Sequence, residues 1–291
     1  MKTILLTGAT GYLGTNLLKA FLKNEYRVIA VCLNKKEQLD FDSCYENNVK
    51  KIYLDTDSIE SVFDSEKIDI IVHTATVYGR ANEGIEEIIK ANVIFPLKIL
   101  QRAVKNKVSI FVNADSMLDK STSIYAMTKF QFKEWLDFFS NQIKVVNLTM
   151  DQFYGPNERP TKFIAWLIDR FKNNVSSVDL TAGTQTRDFI YVEDVVSAFV
   201  TVVNNMNFVS QGCNNFEVGT GTLTSVHDMV LKVQNLFDNK NTKLNFGAIP
   251  LRTNELSGKI VKSSELRNLG WSPQYSVDAG LAEIKQMEGI K

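Results

Sequence analysis

The 291-residue sequence is poor in the residues that build metal sites and disulfide frameworks. It contains three cysteines, Cys32, Cys44 and Cys213, and two histidines. An odd number of cysteines without a C-x-x-C pair predicts neither a disulfide framework nor a zinc site, and two histidines offer no ligand cluster. We therefore expect a reduced, cytoplasmic protein that holds no structural metal.

The sequence also lacks an excess of charge and a long apolar segment. Lys plus Arg equal Asp plus Glu at 33 each, so no net field attracts nucleic acid or an anionic membrane. The amino-terminal run ILLTG is too short for a signal peptide or a spanning helix. We expect neither nucleic acid nor membrane as a partner, and local groups must recognise any anionic ligand.

What the sequence does contain is an alternation of strand-length apolar runs with helical patterns. The runs are rich in Ile and Val and show little polar alternation, which is typical of a parallel sheet covered on both faces. The pattern predicts an α/β protein with a Rossmann-type doubly wound parallel sheet. It also predicts one continuous helix over residues 83–106 and a closing helix over residues 263–269.

The alternation loosens after Val146, which indicates a second, smaller part of the chain. Residues 187–207 return to the strand-plus-helix pattern. We therefore predict a dinucleotide-binding domain of residues 1–150, joined by residues 187–207. A smaller carboxy-terminal substrate-binding lobe would comprise residues 151–186 and 208–291.

Three glycines follow the first predicted strand and open the first predicted helix. Small residues let the backbone approach a pyrophosphate, and the helix start supplies amide donors and the positive end of the dipole. The spacing is G-x-x-G-x-x-G, and a tight turn alone would explain it, but the strand before and the helix after favour a dinucleotide site. We assign cofactor contacts to Gly8, Thr10, Gly11, Tyr12, Leu13 and Gly14.

The end of the second predicted strand carries Asn34, Lys35 and Lys36 where NAD-binding sheets commonly place an acidic residue. An amide and two ammonium groups attract a 2′-phosphate, so this segment favours NADPH (NADP) over NAD. The alternative is that the lysines belong to a solvated loop. Asp55, after the third strand, is a candidate for the adenine end, although it could instead cap the next helix.

Tyr125 and Lys129 are four residues apart in a segment with a helical pattern. Positions i and i+4 share a helix face, so an ammonium would lie close to a phenol. A nearby cation lowers a phenol pKa and would make Tyr125 useful for proton transfer near neutral pH. His73, at the end of the fourth strand, is better explained as a core histidine than as a catalytic one.

These segments together resemble the extended short-chain dehydrogenase/reductase family of nucleotide-sugar epimerases, dehydratases and reductases. The likeness covers nearly the whole chain. Within the family, the sequence is most similar to the CDP-sugar 4-ketoreductases that form paratose and abequose, through VYGRANE, TSIYAMTK, GTQTRDFIYVEDVVSAF and NFGAIPLRTNEL. The family motifs are TGATGYLG, HTAT at residues 73–76, Asn92 in KANVIFPLKIL, Ser116, Y-x-x-x-K, YGP at 154–156 and RDFIYVEDV at 187–195.

The resemblance implies roles for the residues of the catalytic segment. Ser116 would hydrogen-bond the sugar carbonyl, Tyr125 would give or take its proton, and Lys129 would bind the nicotinamide ribose. Hydride would move to or from the nicotinamide in the same step. The resemblance also implies cofactor contacts from Thr74, Ala75, Thr76, Asn92, Tyr125 and Lys129.

Some catalytic residues of the resembling family are absent from this chain, and their absence excludes certain reaction types. The family's dehydratases carry an Asp-Glu pair directly after the Ser/Thr position, where this chain has Met117 and Leu118, which exchange no proton. No cysteine falls near the catalytic segments, unlike in the family's epimerase-reductases. Simple ketone reduction needs only the Ser, Tyr and Lys. The eight residues between Ser116 and Tyr125 are fewer than in most members.

Two arginines match positions that clamp the substrate diphosphate in the family. Guanidinium groups suit phosphate oxygens. The alternatives are an ion pair between Arg187 and Asp188 or Glu193, and solvent exposure for Arg252. The substrate-binding residues implied are Arg187 and Arg252 for the diphosphate, Glu255 for the nucleoside ribose, Tyr78, Arg80 and Ser116 for the sugar, and Lys162 and Phe163 for the base.

The sequence therefore predicts NADPH-dependent reduction of a nucleotide-diphosphate 4-keto-deoxy sugar, of the CDP-4-keto-3,6-dideoxyglucose type. The product would supply deoxysugar biosynthesis for a surface polysaccharide such as a lipopolysaccharide O-antigen. Two alternatives remain open: an epimerase that retains NAD, and a non-catalytic dinucleotide sensor. The resemblance also implies a homodimer, formed through the helices of residues 84–104 and 125–139.

Overall fold

Strands and helices alternate through the first half of the chain, as the sequence predicts. The computed structural model describes residues 1–251 and 257–289. The strands are β1 Thr3–Thr7, β2 Arg27–Cys32, β3 Val49–Tyr53, β4 Ile70–His73, β5 Ile110–Ser116, β6 Lys144–Met150, β7 Gln152–Tyr154, β8 Ser177–Leu180, β9 Thr186–Arg187, β10 Phe189–Tyr191, β11 Cys213–Val218, β12 Thr224–Ser225 and β13 Lys243–Phe246. The α-helices are α1 Tyr12–Lys23, α2 Ile59–Ser65, α3 Ile85–Ile89, α4 Phe95–Lys105, α5 Ile124–Phe139, α6 Phe163–Lys172, α7 Val192–Asn204, α8 Val226–Leu236, α9 Ser264–Asn268 and α10 Val277–Met287.

Seven strands form one sheet in the order β11-β6-β5-β4-β1-β2-β3. The pairs from β3 to β6 are parallel. Their apolar residues, such as Leu5, Ile29 and Ile71, are fully buried, because helices cover both faces of the sheet. The predicted Rossmann-type doubly wound sheet is thus confirmed. The strand order reverses between β1 and β4, where sheets of this class bind their ligands beyond the carboxyl ends of the strands.

The chain divides into two compact units. The first comprises residues 1–150, 196–216 and 265–271, and the second comprises residues 151–195, 217–264 and 272–291.

The segment that returns to the first unit begins later than the sequence suggested, at residue 196 rather than 187. The residues before it are held within the second unit, where the Asp194 carboxylate accepts backbone hydrogen bonds from Gln274 and Tyr275 at 2.8 and 3.0 Å. Within the first unit, the Trp271 indole donates to the Ser197 hydroxyl at 2.8 Å. That contact accounts for the second returning segment, residues 265–271, which the sequence pattern did not indicate.

The second unit is built from three short strand pairs and from helices that share an apolar core. β7 pairs with β10 and β8 with β13 in parallel, and β9 pairs antiparallel with β12. The sequence analysis missed α10, which begins after the Ser276 cap. An internal glycine, Gly280, weakens its helical pattern. Glycine is needed there because a Cβ at this position would lie 2.5 Å from the Tyr154 hydroxyl.

The helix predicted over residues 83–106 is interrupted. A π-helical turn, Lys90–Ile94, separates α3 from α4. Pro96 stands in the first turn of α4 and has no amide hydrogen to continue the regular ladder. One-turn π segments arise where that ladder is broken, and they are frequent at functional sites. No helix among the described residues is long and apolar enough to cross a membrane.

The glycine-rich turn has no room for a larger side chain. A Cβ on Gly14 would lie 1.9 Å from the Gly8 carbonyl oxygen, which is backbone and has no side-chain freedom to give way. We expect Gly14→Ala to lower the free energy of unfolding by at least about 2 kcal/mol, measured by urea denaturation. Gly84→Ala is the control, because a Cβ there meets nothing within 4 Å. A loss below about 1 kcal/mol is expected for that control, and equal losses for both variants would contradict the prediction.

Candidate active site

The turn between β1 and α1 has the geometry of an anion-binding loop. Gly8 adopts a φ of +70°, and a Cβ on it would lie 2.7 Å from the Ala75 amide nitrogen. Gly11 precedes the first residue of α1 and provides no side-chain cap, so the positive end of the helix dipole faces the turn without a capping side chain. The turn therefore fits a dinucleotide pyrophosphate. The predicted contacts Gly8, Thr10, Gly11, Tyr12, Leu13 and Gly14 all fall in this turn and the start of the helix.

The residues after β4 pack against this turn. The Thr74 hydroxyl donates to the Thr7 carbonyl at 2.8 Å, and the Ala75 amide donates to the Thr7 hydroxyl at 3.4 Å. Thr76 donates its hydroxyl hydrogen to the Asn92 side chain at 3.1 Å. The segment predicted to line the cofactor site is thus brought beside the glycine turn.

His73 is a core residue, as the sequence analysis favoured. It is 1 % exposed, and its Nδ1 lies 2.7 Å from the Thr7 hydroxyl. Its ring packs near Phe95, Phe111 and Phe132. Burial lowers the pKa of His73 well below its ordinary value, and the charge of Lys129 adds to that lowering. His73 is therefore neutral at physiological pH.

Asn92 is 2 % exposed and makes four hydrogen bonds within the protein. Its Oδ1 accepts from the Val77 amide at 2.7 Å and from Thr76, and its Nδ2 donates to the Val77 carbonyl at 2.8 Å and to the Thr128 hydroxyl at 3.0 Å. All four bonding sites of the amide are occupied. This geometry gives Asn92 the task of holding the segment after β4 against helix α5.

Tyr125 lies in the first turn of α5, where the Ser123 side chain caps the helix. Ser116, the last residue of β5, hydrogen-bonds the Tyr125 hydroxyl. The Tyr78 ring packs on the Tyr125 ring, with centroids 4.8 Å apart at 33°. The Arg80 guanidinium lies over the other ring of this pair, 5.3 Å from the centroid of Tyr78. Four predicted catalytic and sugar-binding residues therefore form one cluster.

The phenol of Tyr125 is held in its protonated form. Burial raises its pKa above the ordinary value, and Tyr78 and Asp115 add to the rise. The hydrogen bond from Ser116 and the charge of Arg80 lower the pKa, but these effects are smaller. The spacing of Tyr125 and Lys129 predicted a lowered phenol pKa, but the net change is a rise. Desolvation of the phenolate is the largest effect and decides the direction. A protonated phenol beside a serine hydroxyl is arranged to donate a proton.

Lys129 points its ammonium away from bulk solvent, into the carboxyl end of β5. It is 6 % exposed, and its Nζ donates to the Ala114 carbonyl at 2.5 Å. Burial lowers its pKa, and the carboxylate of Asp115 opposes that effect. The sequence analysis missed Asp115, which is 8 % exposed and accepts a 2.6 Å hydrogen bond from Asn147. Its signal was a carboxylate directly before Ser116 at a strand end.

The loop after β2 contains the residues predicted to select the cofactor. The Asn34 side chain accepts from the Lys36 amide at 3.0 Å. The Lys35 amide lies 3.5 Å from an Asp55 carboxylate oxygen, so the loops after β2 and β3 approach each other. Asp55 does not cap α2, because Ser58 occupies that position.

The sequence analysis overlooked Glu37 in the same loop. Its Oε2 accepts a hydrogen bond from the Thr10 hydroxyl at 2.8 Å and from the Leu33 amide at 2.9 Å. The carboxylate therefore bridges the glycine turn and the end of β2. The available signal was an acidic residue three positions after Asn34.

In the second unit, Arg187 is 9 % exposed and is already paired. Its Nε lies 3.8 Å from the carboxylate of Asp151, which is distant in sequence. Its Nη1 donates a hydrogen bond to the Thr186 carbonyl at 2.8 Å. The Gly258 amide also donates to that carbonyl, at 2.7 Å. Arg252 and Glu255 lie outside the described residues.

The other two predicted substrate residues of this unit are next to each other at the start of α6. Lys162 is the residue that precedes the helix, and Phe163 is its first residue. The Phe163 ring stacks near Trp166, with centroids 6.4 Å apart at 23°. Both predicted residues are half-buried.

The glycine turn at the switch point of the sheet, and the serine, tyrosine and lysine beside it, define a Rossmann-fold enzyme that uses a nicotinamide dinucleotide. The chain belongs to the NAD dependent epimerase/dehydratase family, whose sequence model matches residues 4–219. The resemblance described from the motifs is thereby confirmed.

Known proteins resemble the chain over nearly its full length. CDP-abequose synthase of Salmonella typhimurium is 33% identical over 294 residues, covering 97% of this chain and 96% of that protein. Among solved structures, MoeE5 in complex with UDP-glucuronic acid and NAD has a TM-score of 0.82 at 22% identity and covers 99% of both chains. The UDP-glucose 4-epimerase of Thermotoga maritima with UDP-glucose has a TM-score of 0.82 at 21% identity, covering 99% of this chain and 100% of that one. These structures support the fold.

The neutral, buried His73 links the stability of the protein to pH. Its folded pKa lies below the ordinary value of 6.5, so below pH 6.5 the unfolded chain takes up a proton that the folded chain does not. The contribution of His73 to the free energy of unfolding is fully present above pH 6.5 and is lost as the pH falls below that value. Between pH 7 and 5.5 the expected loss is about 1 kcal/mol.

We expect His73→Gln to flatten the fall of unfolding free energy over this range, measured by urea denaturation. His227→Gln, at the chain's other histidine, is the control. If the free energy of unfolding of His73→Gln falls with pH as steeply as that of the wild type, His73 is not the source of the pH dependence.

Proposed function

We propose that the protein reduces the 4-keto group of a nucleotide-diphosphate deoxysugar, with NADPH as the consumed cofactor. The observation that carries this proposal is the protonated Tyr125 phenol, hydrogen-bonded to Ser116 at the carboxyl end of β5. Similarity to CDP-abequose synthase supports a CDP-linked 4-keto-3,6-dideoxy sugar, formed in deoxysugar biosynthesis for a lipopolysaccharide O-antigen.

The residues of the first unit supply the proton chemistry. Ser116 donates a hydrogen bond to the ketone oxygen, and Tyr125 gives that oxygen its proton as the carbon is reduced. A bound reduced nicotinamide supplies the hydride. Lys129 would hold the nicotinamide ribose, while the Ser116 hydrogen bond and the charge of Arg80 favour the tyrosinate that remains. A ketone, a hydride and a proton thus give an alcohol.

Lys35 and Lys36 support NADPH as the cofactor. Both side chains are exposed in the loop after β2, where a 2′-phosphate would gain from their positive charge. Asp55 would meet the adenosine, while Thr74, Ala75 and Thr76 would line the path from the glycine turn to the nicotinamide. Asn92 would act through the hydrogen bonds that hold this segment.

The second unit is proposed to hold the nucleotide sugar, and the first to hold the dinucleotide. Arg187 and Arg252 would bind the diphosphate, and Glu255 the nucleoside ribose. Lys162 and Phe163 would contact the base. Tyr78 and Arg80 would meet the sugar, since they already cover Tyr125.

An epimerase that retains NAD is the second candidate, favoured by the structural likeness to a UDP-glucose 4-epimerase. Epimerisation begins with oxidation and needs the tyrosine as a base. The raised pKa of Tyr125 favours the acid instead. A non-catalytic sensor would need no proton donor, so the Ser116 and Tyr125 pair argues against it.

The first test is direct reduction. We expect purified protein to oxidise NADPH when given a CDP-4-keto-3,6-dideoxy sugar, followed by the fall in absorbance of the reduced nicotinamide. Tyr125→Phe should lower kcat by at least about a hundredfold, because the proton donor is lost. Its affinity for NADPH should stay within about threefold, since the ring remains in place.

Tyr45→Phe is the matched control, because this tyrosine lies in the 3-10 helical segment Ser43–Asn48 and not in the catalytic cluster. The variant should keep full turnover. Tight NADPH binding without oxidation by any 4-keto sugar would refute ketone reduction. Co-purified NAD, with turnover that needs no added cofactor, would favour the epimerase.

We also propose that the protein is a homodimer in the cytoplasm. The three cysteines are free, which suits a reducing compartment. Helix α3 and the π-helical turn after it pack against α5, and the three segments carry a row of exposed apolar residues typical of a subunit contact. The row consists of Ile85, Ile94, Met127, Phe130, Trp135 and Phe138.

A charge on this surface should separate the subunits. Phe138 is 68% exposed and Phe208, distant in sequence from α5, is 80% exposed. We expect Phe138→Glu to weaken dimerisation at least about tenfold, measured by sedimentation at several concentrations, because the carboxylate would be desolvated. Phe208→Glu should leave the dimer intact. A monomeric wild type, or equal effects of both variants, would contradict the assignment.

A further inference from the structure

Glu37 occupies the point at which the glycine turn meets the end of the second strand. Its carboxylate accepts from the hydroxyl of Thr10, within the turn, and from the amide of Leu33, the first residue after β2. β1 and β2 are neighbours in the sheet, with Thr7 paired to Val31. These contacts fix the carboxylate, although Glu37 itself lies in a loop.

This point is where Rossmann sheets meet the ribose of the adenosine half of a dinucleotide. The ribose lies beyond the second strand, and an acidic side chain about 20 residues after the glycines receives its 2′-hydroxyl. The usual place at the strand end holds Asn34 here. Glu37 comes from further along the loop and returns a carboxylate to the same end of β2.

The charge of this carboxylate decides which ligand it favours. Carboxylate oxygens accept hydrogen bonds, so they suit the 2′-hydroxyl of NADH. A 2′-phosphate at the same place would meet like charge, and screening is weak because Glu37 is half-buried. The exposed Lys35 and Lys36 act in the opposite direction.

We propose that Glu37 is a specificity-determining residue, which selects the ribose 2′-hydroxyl over a 2′-phosphate and limits the advantage that Lys35 and Lys36 give to NADPH. The protein accordingly accepts both dinucleotides. The inference rests on the proposed dinucleotide site but not on the sugar chemistry, so cofactor binding alone tests it.

The test is the ratio of the dissociation constants for NADPH and NADH, measured by calorimetry on the full chain without sugar. We expect Glu37→Gln to favour NADPH by about tenfold relative to wild type, because the amide keeps the shape and loses the charge. The fragments adenosine 2′,5′-bisphosphate and 5′-AMP should show the same change, since they carry only the adenosine end. NADH affinity should change by less than about threefold.

Two further variants complete the design. Glu37→Ala should shift the ratio in the same direction. It controls for the case in which the glutamine amide of Glu37→Gln itself binds the 2′-phosphate. Glu86→Gln removes the same charge from an exposed helix and should leave the ratio unchanged. A ratio within twofold of wild type in both Glu37 variants, with thermal unfolding preserved, would overturn the proposal. If the Glu37 variants change the ratio as expected but the protein reduces no 4-keto sugar, the proposed function is refuted and the role of Glu37 stands.

Discussion

The site depends on the close approach of the Gly8 backbone to the segment after β4. A Cβ on Gly8 would lie 2.8 Å from the Ala75 Cα, so any other residue would push the two apart. From this contact the hydrogen bonds continue through Thr76 to Asn92, and from Asn92 to Thr128. The Thr128 hydroxyl donates to the Tyr125 carbonyl at 2.8 Å. One continuous series of contacts therefore fixes the proton donor relative to the glycine turn.

Burial controls the protonation states in this series. It keeps His73 neutral and Tyr125 protonated, and it lowers the pKa of Lys129, whose ammonium the Asp115 carboxylate favours. Each change follows from removing a charged form from water. The resting site thus holds a proton on the phenol next to Ser116, an uncharged imidazole at His73 and a buried carboxylate–ammonium pair at Asp115 and Lys129.

Local patterns in the sequence were sufficient for the sheet, the glycine turn and the Tyr125 helix, because each depends on residues close in sequence. Features set by burial or by distant partners were not predictable in this way. The pKa of Tyr125 moved opposite to the i, i+4 argument, since desolvation outweighs one charge. The position of the Glu37 carboxylate depends on hydrogen bonds to Thr10 and to the end of β2, and the internal Gly280 concealed α10. The π-turn lies just before Pro96, whose effect on the helix ladder the periodicity alone did not reveal.

Tyr78 covers Tyr125 beside the short connection that joins Ser116 to the start of α5. The connection folds on itself: the Asp119 carboxylate accepts from the Ser121 amide at 2.9 Å and hydroxyl at 2.6 Å. The ring of Tyr78 packs on Tyr125, and the Arg80 guanidinium lies over Tyr78. An aromatic ring and a guanidinium therefore cover the phenol ring, a feature that depends on residues more than 40 positions away in sequence and that no local pattern predicts.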